Sequence, residues 1–313
     1  MSIAIVFPGQ GSQSVGMMTP FASMPTIRRT FDEAGSALGT DLWKLVQEGP
    51  EDQLNLTVNT QPAMLVAGVA LFRVWREAGG PDPLAVAGHS LGEYTAWTVA
   101  GTLDFASAVS LVRFRGQLMQ EAVPAGQGGM AALLGLEDDA VRSVCAEAAS
   151  IGVVEAANYN SPGQVVIAGE THAVQRAVEL AKARGARRAV MIAISIPAHS
   201  TLMRPAAERL RERLEALEFK PPRIPVLNNV DVAAEVVPER IRDGLVRQLS
   251  SPVRWVETVQ ALARRGASTL LECGPAGVLA GLVKRSAPEL RPVAARDADT
   301  IRDLAAESKG STP

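Results

Sequence analysis

The sequence is poor in the residues that build metal centres and disulfide frameworks. Only two cysteines, Cys145 and Cys273, and three histidines occur among 313 residues. Neither cysteine belongs to a CxxC pair, so we expect no zinc site, no disulfide framework and two buried, inert thiols. No stretch approaches the roughly 18 to 20 uninterrupted apolar residues of a membrane span, and no positive region precedes the apolar start at Ser2. A cytoplasmic location is therefore expected.

Charge and composition exclude further classes. The net charge of −2 gives no overall attraction to nucleic acid. A chain that is 47% hydrophobic and 20% charged can bury one large core, or one core and a smaller lobe. It has the composition of an ordinary globular protein, and any polyanionic partner would have to meet a local basic patch.

Strand-like runs alternate with longer helical patterns over most of the chain. This rhythm predicts an α/β fold, with a large domain in which helices flank a mainly parallel sheet. We expect this domain to be discontinuous, over residues 1–124 and 200–313. After residue 200 an amphipathic helix should carry Leu210, Leu214 and Leu217 on one face. The expected strands are Ile3–Phe7, Leu84–Ala87, Ile224–Asn228, Thr269–Cys273 and Pro292–Ala295, and the clearest helices are Pro62–Glu77, Glu93–Ala100 and Phe105–Glu121.

The pattern changes after a Gly-rich stretch near Pro124. Residues 125–199 follow the order βαββαβ, which predicts an inserted ferredoxin-like small domain. Ser308–Pro313 is expected to be a frayed tail. The elements expected in the small domain are strands Met130–Leu136, Val153–Tyr159, Gln164–Ala168 and Ala189–Ser195, and helices Asp139–Ala149 and Ala173–Ala183.

The strongest chemical signal is the segment Gly88-His89-Ser90-Leu91-Gly92 between a short apolar run and a helix-like stretch. It matches the Gly-x-Ser-x-Gly nucleophile elbow, whose glycines allow a tight turn that lifts the serine to the mouth of a helix. Ser90 is the candidate nucleophile. The alternative is a plain Gly-Ser turn, which stays open until a base is found.

A serine hydroxyl needs a neighbouring base, and histidine is best suited. His89 adjoins Ser90, but consecutive side chains diverge in an elbow. His172 has the position of a surface residue in the first turn of a helix. His199 follows the last strand of the small domain, where two domains would meet and clefts form. By elimination, His199 is the predicted base.

The loop Phe7–Gln13 follows the first strand and invites a dinucleotide-binding interpretation. The G-x-G-x-x-G fingerprint fails, because Ser14 stands where the third glycine belongs. What remains is a loop whose backbone can approach a ligand closely. Its N–H at Gln10, beside that of Leu91, would complete an oxyanion hole; the alternative is a polar turn.

Arg115 lies on the apolar face of a helix, with Leu111, Val112, Leu118 and Met119. A guanidinium there needs a partner because it is never neutralised. Periodicity alone favours a structural carboxylate as this partner. The alternative is a substrate carboxylate, which the planar guanidinium binds through two parallel hydrogen bonds.

Together these motifs resemble the bacterial malonyl-CoA:acyl carrier protein transacylases of fatty-acid synthesis, from the first strand to roughly the last helix. The matching segments are FPGQGSQ (Phe7–Gln13), TQPA (Thr60–Ala63), GHSLGEY (Gly88–Tyr94), the Arg115-Gly116 helix, and NSPGQVVIAG (Asn160–Gly169) with the Pro197-Ala198-His199 loop.

The resemblance implies a role for each candidate. Ser90 would be acylated and His199 would be its base, in a ping-pong reaction that needs no cofactor. Arg115 would bind the malonyl carboxylate, with Gln61 and Met119 lining the site. It also implies an oxyanion hole from the N–H groups of Gln10 and Leu91, and a main-chain carbonyl of Gln248 that orients His199.

The partners implied are malonyl-CoA and an acidic acyl carrier protein, with no nucleic acid and no membrane; a monomer is expected. Basic candidates for carrier or coenzyme A contact are Arg188 at the edge of the small domain, with Lys182, Arg184 and Arg187, and Lys284 with Arg285 on a late helix. Asn160 is a further candidate contact. The small residue Ala198 leaves strict preference for malonyl over methylmalonyl open.

Other functions remain as alternatives. A serine esterase or thioesterase of the α/β-hydrolase type is disfavoured, since its histidine usually lies on a late loop. A non-catalytic binding module would not need an activated nucleophile. Within the acyltransferases, the transacylase of a malonate decarboxylase or of a polyketide pathway stays open.

Overall fold

The computed structural model describes residues 1–124 and 126–309, and their strands form two sheets. The strands are β1 Ile3–Phe7, β2 Ala85–Gly88, β3 Gly128–Leu134, β4 Val154–Ser161, β5 Gln164–Glu170, β6 Arg188–Ile192, β7 Val226–Leu227, β8 Thr269–Glu272 and β9 Arg291–Ala294. The helices are α1 Pro25–Leu38, α2 Leu42–Glu48, α3 Glu51–Leu54, α4 Thr57–Glu77, α5 Leu91–Val99, α6 Phe105–Glu121, α7 Asp138–Ala148, α8 Thr171–Ala183, α9 Arg204–Glu215, α10 Pro238–Leu249, α11 Trp255–Arg264, α12 Val278–Ser286 and α13 Ala298–Lys309.

The larger sheet is parallel, in the order β7-β2-β1-β8-β9. All five residues of β1 are buried, as expected for a central strand covered by helices on both faces. Phe7 of β1 pairs with Gly88 of β2, so both strands end at the same edge of the sheet. The prediction of a mainly parallel sheet flanked by helices is confirmed.

The smaller sheet is antiparallel, in the order β4-β5-β3-β6. Helices α7 and α8 connect its strands, which gives the predicted βαββαβ sequence of a ferredoxin-like unit. The apolar residues between this sheet and its two helices form a core cluster of their own. Its strands lie inside the predicted range 125–199, of which residue 125 is outside the described residues; the domain boundaries themselves stay a prediction.

Backbone hydrogen bonds tie the two sheets together beside β4. The Val253 N–H donates to the Ala157 carbonyl at 2.9 Å, and the Tyr159 N–H donates to the Val253 carbonyl at 3.0 Å. This short bridge joins the small sheet to the segment that follows α10. It fixes one side of the cleft between the sheets.

Several element boundaries differ from the sequence-based expectation. Helix α4 begins at Thr57 and includes Pro62, although proline usually marks the first turn of a helix. Helix α9 ends at Glu215, so Leu217 lies beyond it and packs against the core from a turn. Ser308 is buried in α13 and is not part of a frayed tail, while residues 310–313 lie outside the described residues.

The strand predicted to end at Ser195 ends at Ile192. Two isoleucines beyond it, Ile194 and Ile196, line a cavity between the two sheets. Apolar residues alternate here as they would in a strand, because Ile194 and Ile196 both face the cavity. In the described part of the chain, no helix is long and apolar enough to cross a membrane.

Candidate active site

Ser90 stands at the turn between β2 and α5 with φ +51° and ψ −110°, a conformation that residues with a Cβ rarely adopt. The turn is tight because there is no room for side chains at its glycines. A methyl group at Gly88 would overlap the Gly92 backbone, and one at Gly92 would overlap the Phe7 carbonyl group. The elbow predicted from the sequence is therefore present, and Ser90 lies at the start of a buried helix.

Asn229 holds this turn from both sides. Its Oδ1 accepts the Ser90 N–H at 2.8 Å, and its Nδ2 donates to the Gly88 carbonyl at 2.6 Å. Asn229 follows β7, which pairs with β2, so the carboxyl ends of two neighbouring strands meet at the elbow. A fully buried amide thus fixes the backbone of the candidate nucleophile.

His199 lies against Ser90, although the two are far apart in sequence. The Ser90 hydroxyl and His199 Nε2 are 2.7 Å apart, and His199 Nδ1 donates to the Gln248 carbonyl at 2.8 Å. Because that carbonyl can only accept, the proton of a neutral ring is on Nδ1 and the Nε2 lone pair faces the hydroxyl. This geometry allows His199 to remove the Ser90 proton.

Burial keeps His199 neutral. It is only 3% exposed, and desolvation together with the positive charge of Arg115 lowers its pKa from 6.5 to about 3. The hydrogen bond to the Gln248 carbonyl opposes this shift but is outweighed. The base is therefore unprotonated at neutral pH.

Arg115 is 1% exposed, and its guanidinium faces the Ser90 hydroxyl. It donates to Gln61 Oε1 at 3.0 Å, to Gln248 Oε1 at 3.1 Å and to the Ser90 Oγ at 3.4 Å. Its Nε has no hydrogen-bond partner. No carboxylate of the described residues hydrogen-bonds to Arg115, so the direct structural partner favoured by periodicity is not among these contacts.

The neighbours of Arg115 hold it by packing and by neutral hydrogen bonds. The guanidinium carbon lies 5.2 Å from the centre of the Tyr94 ring, which is a cation–π contact. Gln61 is held in turn by a contact of its Nε2 with the Met119 sulfur at 3.1 Å. Gln61 and Met119 therefore lie where they were predicted, beside Arg115 in the cavity wall.

A cavity of about 300 Å³ opens over Ser90, His199 and Arg115. Gln10 and Leu91 line it, and Leu91 is the first residue of α5, where backbone N–H groups have no partner within the helix. The opposite wall is apolar and comes from the small sheet and the segment after β6. The residues of that wall are Met130, Val166, Ile192, Ile194 and Ile196.

The residues predicted to contact coenzyme A or the carrier protein lie in different parts of the structure. Asn160 lines the cavity, and its Oδ1 is 2.8 Å from His89 Nε2, so it also holds His89 beside the elbow. Lys284 and Arg285 are exposed on α12, whose Leu279 and Leu282 line the cavity. Arg285 Nη2 donates to Oε1 of Gln164, which lines the cavity, so Arg285 lies at the cavity edge, and Lys284 is its neighbour on α12.

Arg188 does not lie at the cavity. It begins β6 and is exposed, whereas Ile192 at the other end of this strand lines the cavity. The four residue steps from Arg188 to Ile192 span about 13 Å at roughly 3.3 Å per residue. Arg188 therefore lies away from the cavity wall, and its contact with coenzyme A or the carrier protein stays a prediction.

Sequence reasoning missed Glu93 and Asn229. Glu93 is buried and its Oε2 accepts from the Asn229 N–H and from Gln248 Nε2, both at 2.9 Å. The signal for Asn229 was available, since this asparagine directly follows a predicted strand of a parallel sheet. No pattern marked Glu93, because a glutamate in the first turn of a helix is ordinary. Among the described residues, no cluster of His, Cys, Asp and Glu could hold a metal ion.

A family model for acyl transferase domains matches residues 4–304. The malonyl CoA-acyl carrier protein transacylase of Escherichia coli K12 is 54% identical over 283 residues, which are 90% of this chain and 92% of that protein. The chain belongs to the acyl transferase family. This membership confirms the resemblance inferred from the motifs and argues against the α/β-hydrolase alternative.

Solved structures of acyl transferases agree closely with this chain. The acyl-carrier-protein S-malonyltransferase of Burkholderia pseudomallei has a TM-score of 0.96 at 54% identity, covering 98% of this chain and 100% of that one. A malonyl-transacylase in complex with a type II PKS acyl-carrier protein has a TM-score of 0.97 at 50% identity, covering 98% and 100%. The fold of the family thus extends over nearly the whole chain.

The lowered pKa of His199 predicts that Ser90 stays reactive in mild acid. The rate at which Ser90 reacts should be flat from about pH 7 to about pH 5, whereas a histidine of ordinary pKa would lose activity below about pH 6.5. The measurement is the inactivation rate with an uncharged fluorophosphonate, because this reagent has no ionisable group of its own.

His199→Ala, measured with the same reagent, gives the rate without the base. A wild-type profile whose acid limb has its midpoint near pH 6.5 would contradict a buried, neutral His199.

Proposed function

We propose that the protein transfers a malonyl group from malonyl-CoA to the phosphopantetheine thiol of an acyl carrier protein, through a malonyl ester on Ser90. The observation that carries the proposal is a buried guanidinium whose hydrogen-bond partners are all neutral, 3.4 Å from the hydroxyl of a Ser–His pair. A nucleophile next to a cation with no carboxylate in direct contact suits an acyl group that ends in a carboxylate. The names of the relatives support the same reaction.

In the first half-reaction, the substrate carboxylate binds Arg115 and the thioester carbonyl lies at Ser90. His199 Nε2 takes the hydroxyl proton as Ser90 Oγ bonds to the carbonyl carbon. The negative charge on the carbonyl oxygen is met by the N–H groups of Gln10 and Leu91; one such donor contributes about 10² to 10³ in rate. The C–S bond then breaks, and His199 returns the proton to the sulfur of coenzyme A.

In the second half-reaction, the carrier's thiol enters the same cavity. His199 takes its proton while the sulfur attacks the malonyl ester, and the proton returns to Ser90 Oγ as the ester bond breaks. Coenzyme A leaves before the carrier's thiol enters, and the malonyl group stays on Ser90 between the two steps, so the scheme is ping-pong. The steps use only side chains and backbone groups of this chain.

The carrier protein would dock beside α12. Lys284 and Arg285 are exposed there, and Arg285 Nη2 donates to Gln164 Oε1 at 3.1 Å, linking α12 to the small sheet across the cavity. Exposed cations at this edge suit an acidic partner, and they compensate for the slightly negative net charge of the whole chain. We also propose that the enzyme works in the cytoplasm, where coenzyme A thioesters are available, and as a monomer.

Incubation with malonyl-CoA should leave a malonyl group on the peptide that contains Ser90. With malonyl-CoA in excess the ester should accumulate, because the only thiol present is the small amount of coenzyme A that the first half-reaction releases; added carrier protein should remove the ester. Intact mass followed by peptide mapping measures both steps. Ser90→Ala should stay unmodified, and a wild-type enzyme without a malonyl adduct would refute the proposed function.

Replacing Arg115 should impair malonyl transfer far more than acetyl transfer. Arg115→Ala removes charge-assisted hydrogen bonds that only the malonyl carboxylate can make, so the ratio of kcat/KM for malonyl-CoA over acetyl-CoA should fall by about 10². Steady-state rates with both thioesters give this ratio.

Arg115→Lys is the matched control, because it keeps the charge and loses the two parallel hydrogen bonds; it should give an intermediate ratio. Equal losses for both substrates in Arg115→Ala would assign the arginine a structural role only.

Charge reversal on α12 should weaken carrier binding. Lys284→Glu with Arg285→Glu should raise the apparent KM for carrier protein at low salt, and the effect should shrink as salt screens the charges. The KM for malonyl-CoA in the first half-reaction should change less.

Lys182→Glu with Arg188→Glu is the matched control, since it reverses two exposed charges of the small domain, one in the last turn of α8 and one at the start of β6. A larger KM change in this control than in the α12 variant would place the docking surface on the small sheet.

A further inference from the structure

Two opposite charges are buried beneath the cavity without touching each other. In the described part of the chain, the hydrogen-bond partners of the Arg115 guanidinium are Gln61, Gln248 and Ser90, which are all neutral. Glu93 is 1% exposed and accepts from Trp97 Nε1, from Gln248 Nε2 and from a backbone N–H. Because a buried charge without an opposite charge nearby is costly, each of these groups needs the other.

The amide of Gln248 lies between them. Its Nε2 donates to Glu93 Oε2 at 2.9 Å, and its Oε1 accepts from Arg115 Nη2 at 3.1 Å. The positive end of the amide dipole therefore faces the anion, and the negative end faces the cation. The two charges are linked through one neutral group.

A carboxylate dictates this orientation because it can only accept hydrogen bonds. Gln248 must present its NH₂ group to Glu93, and this leaves its Oε1 for Arg115. The Ser90 carbonyl, which accepts from the same Nε2 at 2.9 Å, favours the same orientation. If Glu93 were an amide, it could accept or donate, and Gln248 would lose its strongest reason to keep one orientation.

We propose that Glu93 is a positioning residue for substrate selection, which acts through the side chain of Gln248 to hold Arg115 in place as the receptor for the substrate carboxylate. This inference rests on the proposed malonyl transfer. The Gln248 amide between Arg115 and Glu93 matters because it keeps the carboxylate of Glu93 out of direct contact with the guanidinium. A carboxylate in direct contact with Arg115 would occupy the hydrogen-bonding edge that the substrate needs, and it would repel the substrate charge.

The contacts of Glu93 are those of an ionised carboxylate. Three N–H groups point at its two oxygens, and a protonated carboxyl would leave its own O–H among donors without an acceptor. Burial raises the pKa of this carboxyl, whereas these donors and the charge of Arg115 oppose the rise. The geometry therefore describes an acceptor-only carboxylate.

Glu93→Gln should reduce the selection of malonyl over acetyl groups. The ratio of kcat/KM for malonyl-CoA over acetyl-CoA should fall by about tenfold or more, the size expected when a charged group loses a well-placed hydrogen bond. Acetyl transfer uses the same Ser90 and His199 but not the guanidinium, so it should fall less. The change should lie mainly in the KM for malonyl-CoA.

Two further variants separate positioning from general damage to the fold. Trp97→Phe removes a donor to Glu93 Oε1 without touching Gln248, so it should leave the ratio unchanged even if stability falls. Gln248→Met removes the bridging amide but keeps the backbone carbonyl that holds His199, and it should lower the ratio by itself. In a double-variant cycle, Glu93→Gln should then lower the ratio no further.

An unchanged ratio in Glu93→Gln, or equal losses for both substrates, would overturn the inference. If Glu93→Gln does not fold, Gln248→Met decides, since an unchanged ratio there would also overturn it. A wild-type enzyme with no preference for malonyl-CoA would instead refute the proposed function, so the two failures are distinguishable.

Discussion

Both candidate reacting residues are held in backbone conformations that favour glycine. Ser90 has φ +51° and His199 has φ +64°, and each such residue costs about 1–3 kcal/mol that the surrounding structure must offset. At Ser90 the compensation comes from Asn229, which binds the backbone on both sides of the turn. At His199 the backbone N–H donates to the Leu249 carbonyl at 3.1 Å. The Ser–His contact therefore depends on these backbone contacts more than on the two side chains themselves.

The order of the strands in the larger sheet explains why these backbone contacts can form. β1, β2 and β7 are parallel neighbours, so their carboxyl ends bring the Phe7 loop, the elbow and Asn229 to one edge. His199 comes to the same edge from the end of the small-sheet segment. Gln248, at the end of α10, then reaches both residues, since its backbone carbonyl binds His199 and its side chain binds the Ser90 carbonyl. One residue thus couples the orientation of the base to that of the nucleophile.

The sequence predicted the residues whose chemistry is local. The elbow is recognisable because two glycines at fixed spacing have a steric cause, and His199 follows by elimination from only three histidines. The alternation of strands and helices likewise predicted the parallel sheet and the βαββαβ unit. In contrast, Glu93 and Asn229 act through contacts between residues more than 130 positions apart, and such pairings leave no periodic pattern. The predicted end of β6 at Ser195 was wrong for a related reason. Ile194 and Ile196 face a cavity and do not pair with a neighbouring strand.

Arg115 links substrate recognition to the strength of the base. Its positive charge contributes to the low pKa of His199, which is therefore a weak and neutral base. Under the proposed function, a bound malonyl carboxylate would offset that charge at short range, where burial reduces screening by solvent. His199 would then become a stronger base when the carboxylate is in place, and a substrate without a carboxylate would not produce this gain. Selection for malonyl groups would in this way act on the proton transfer itself as well as on binding.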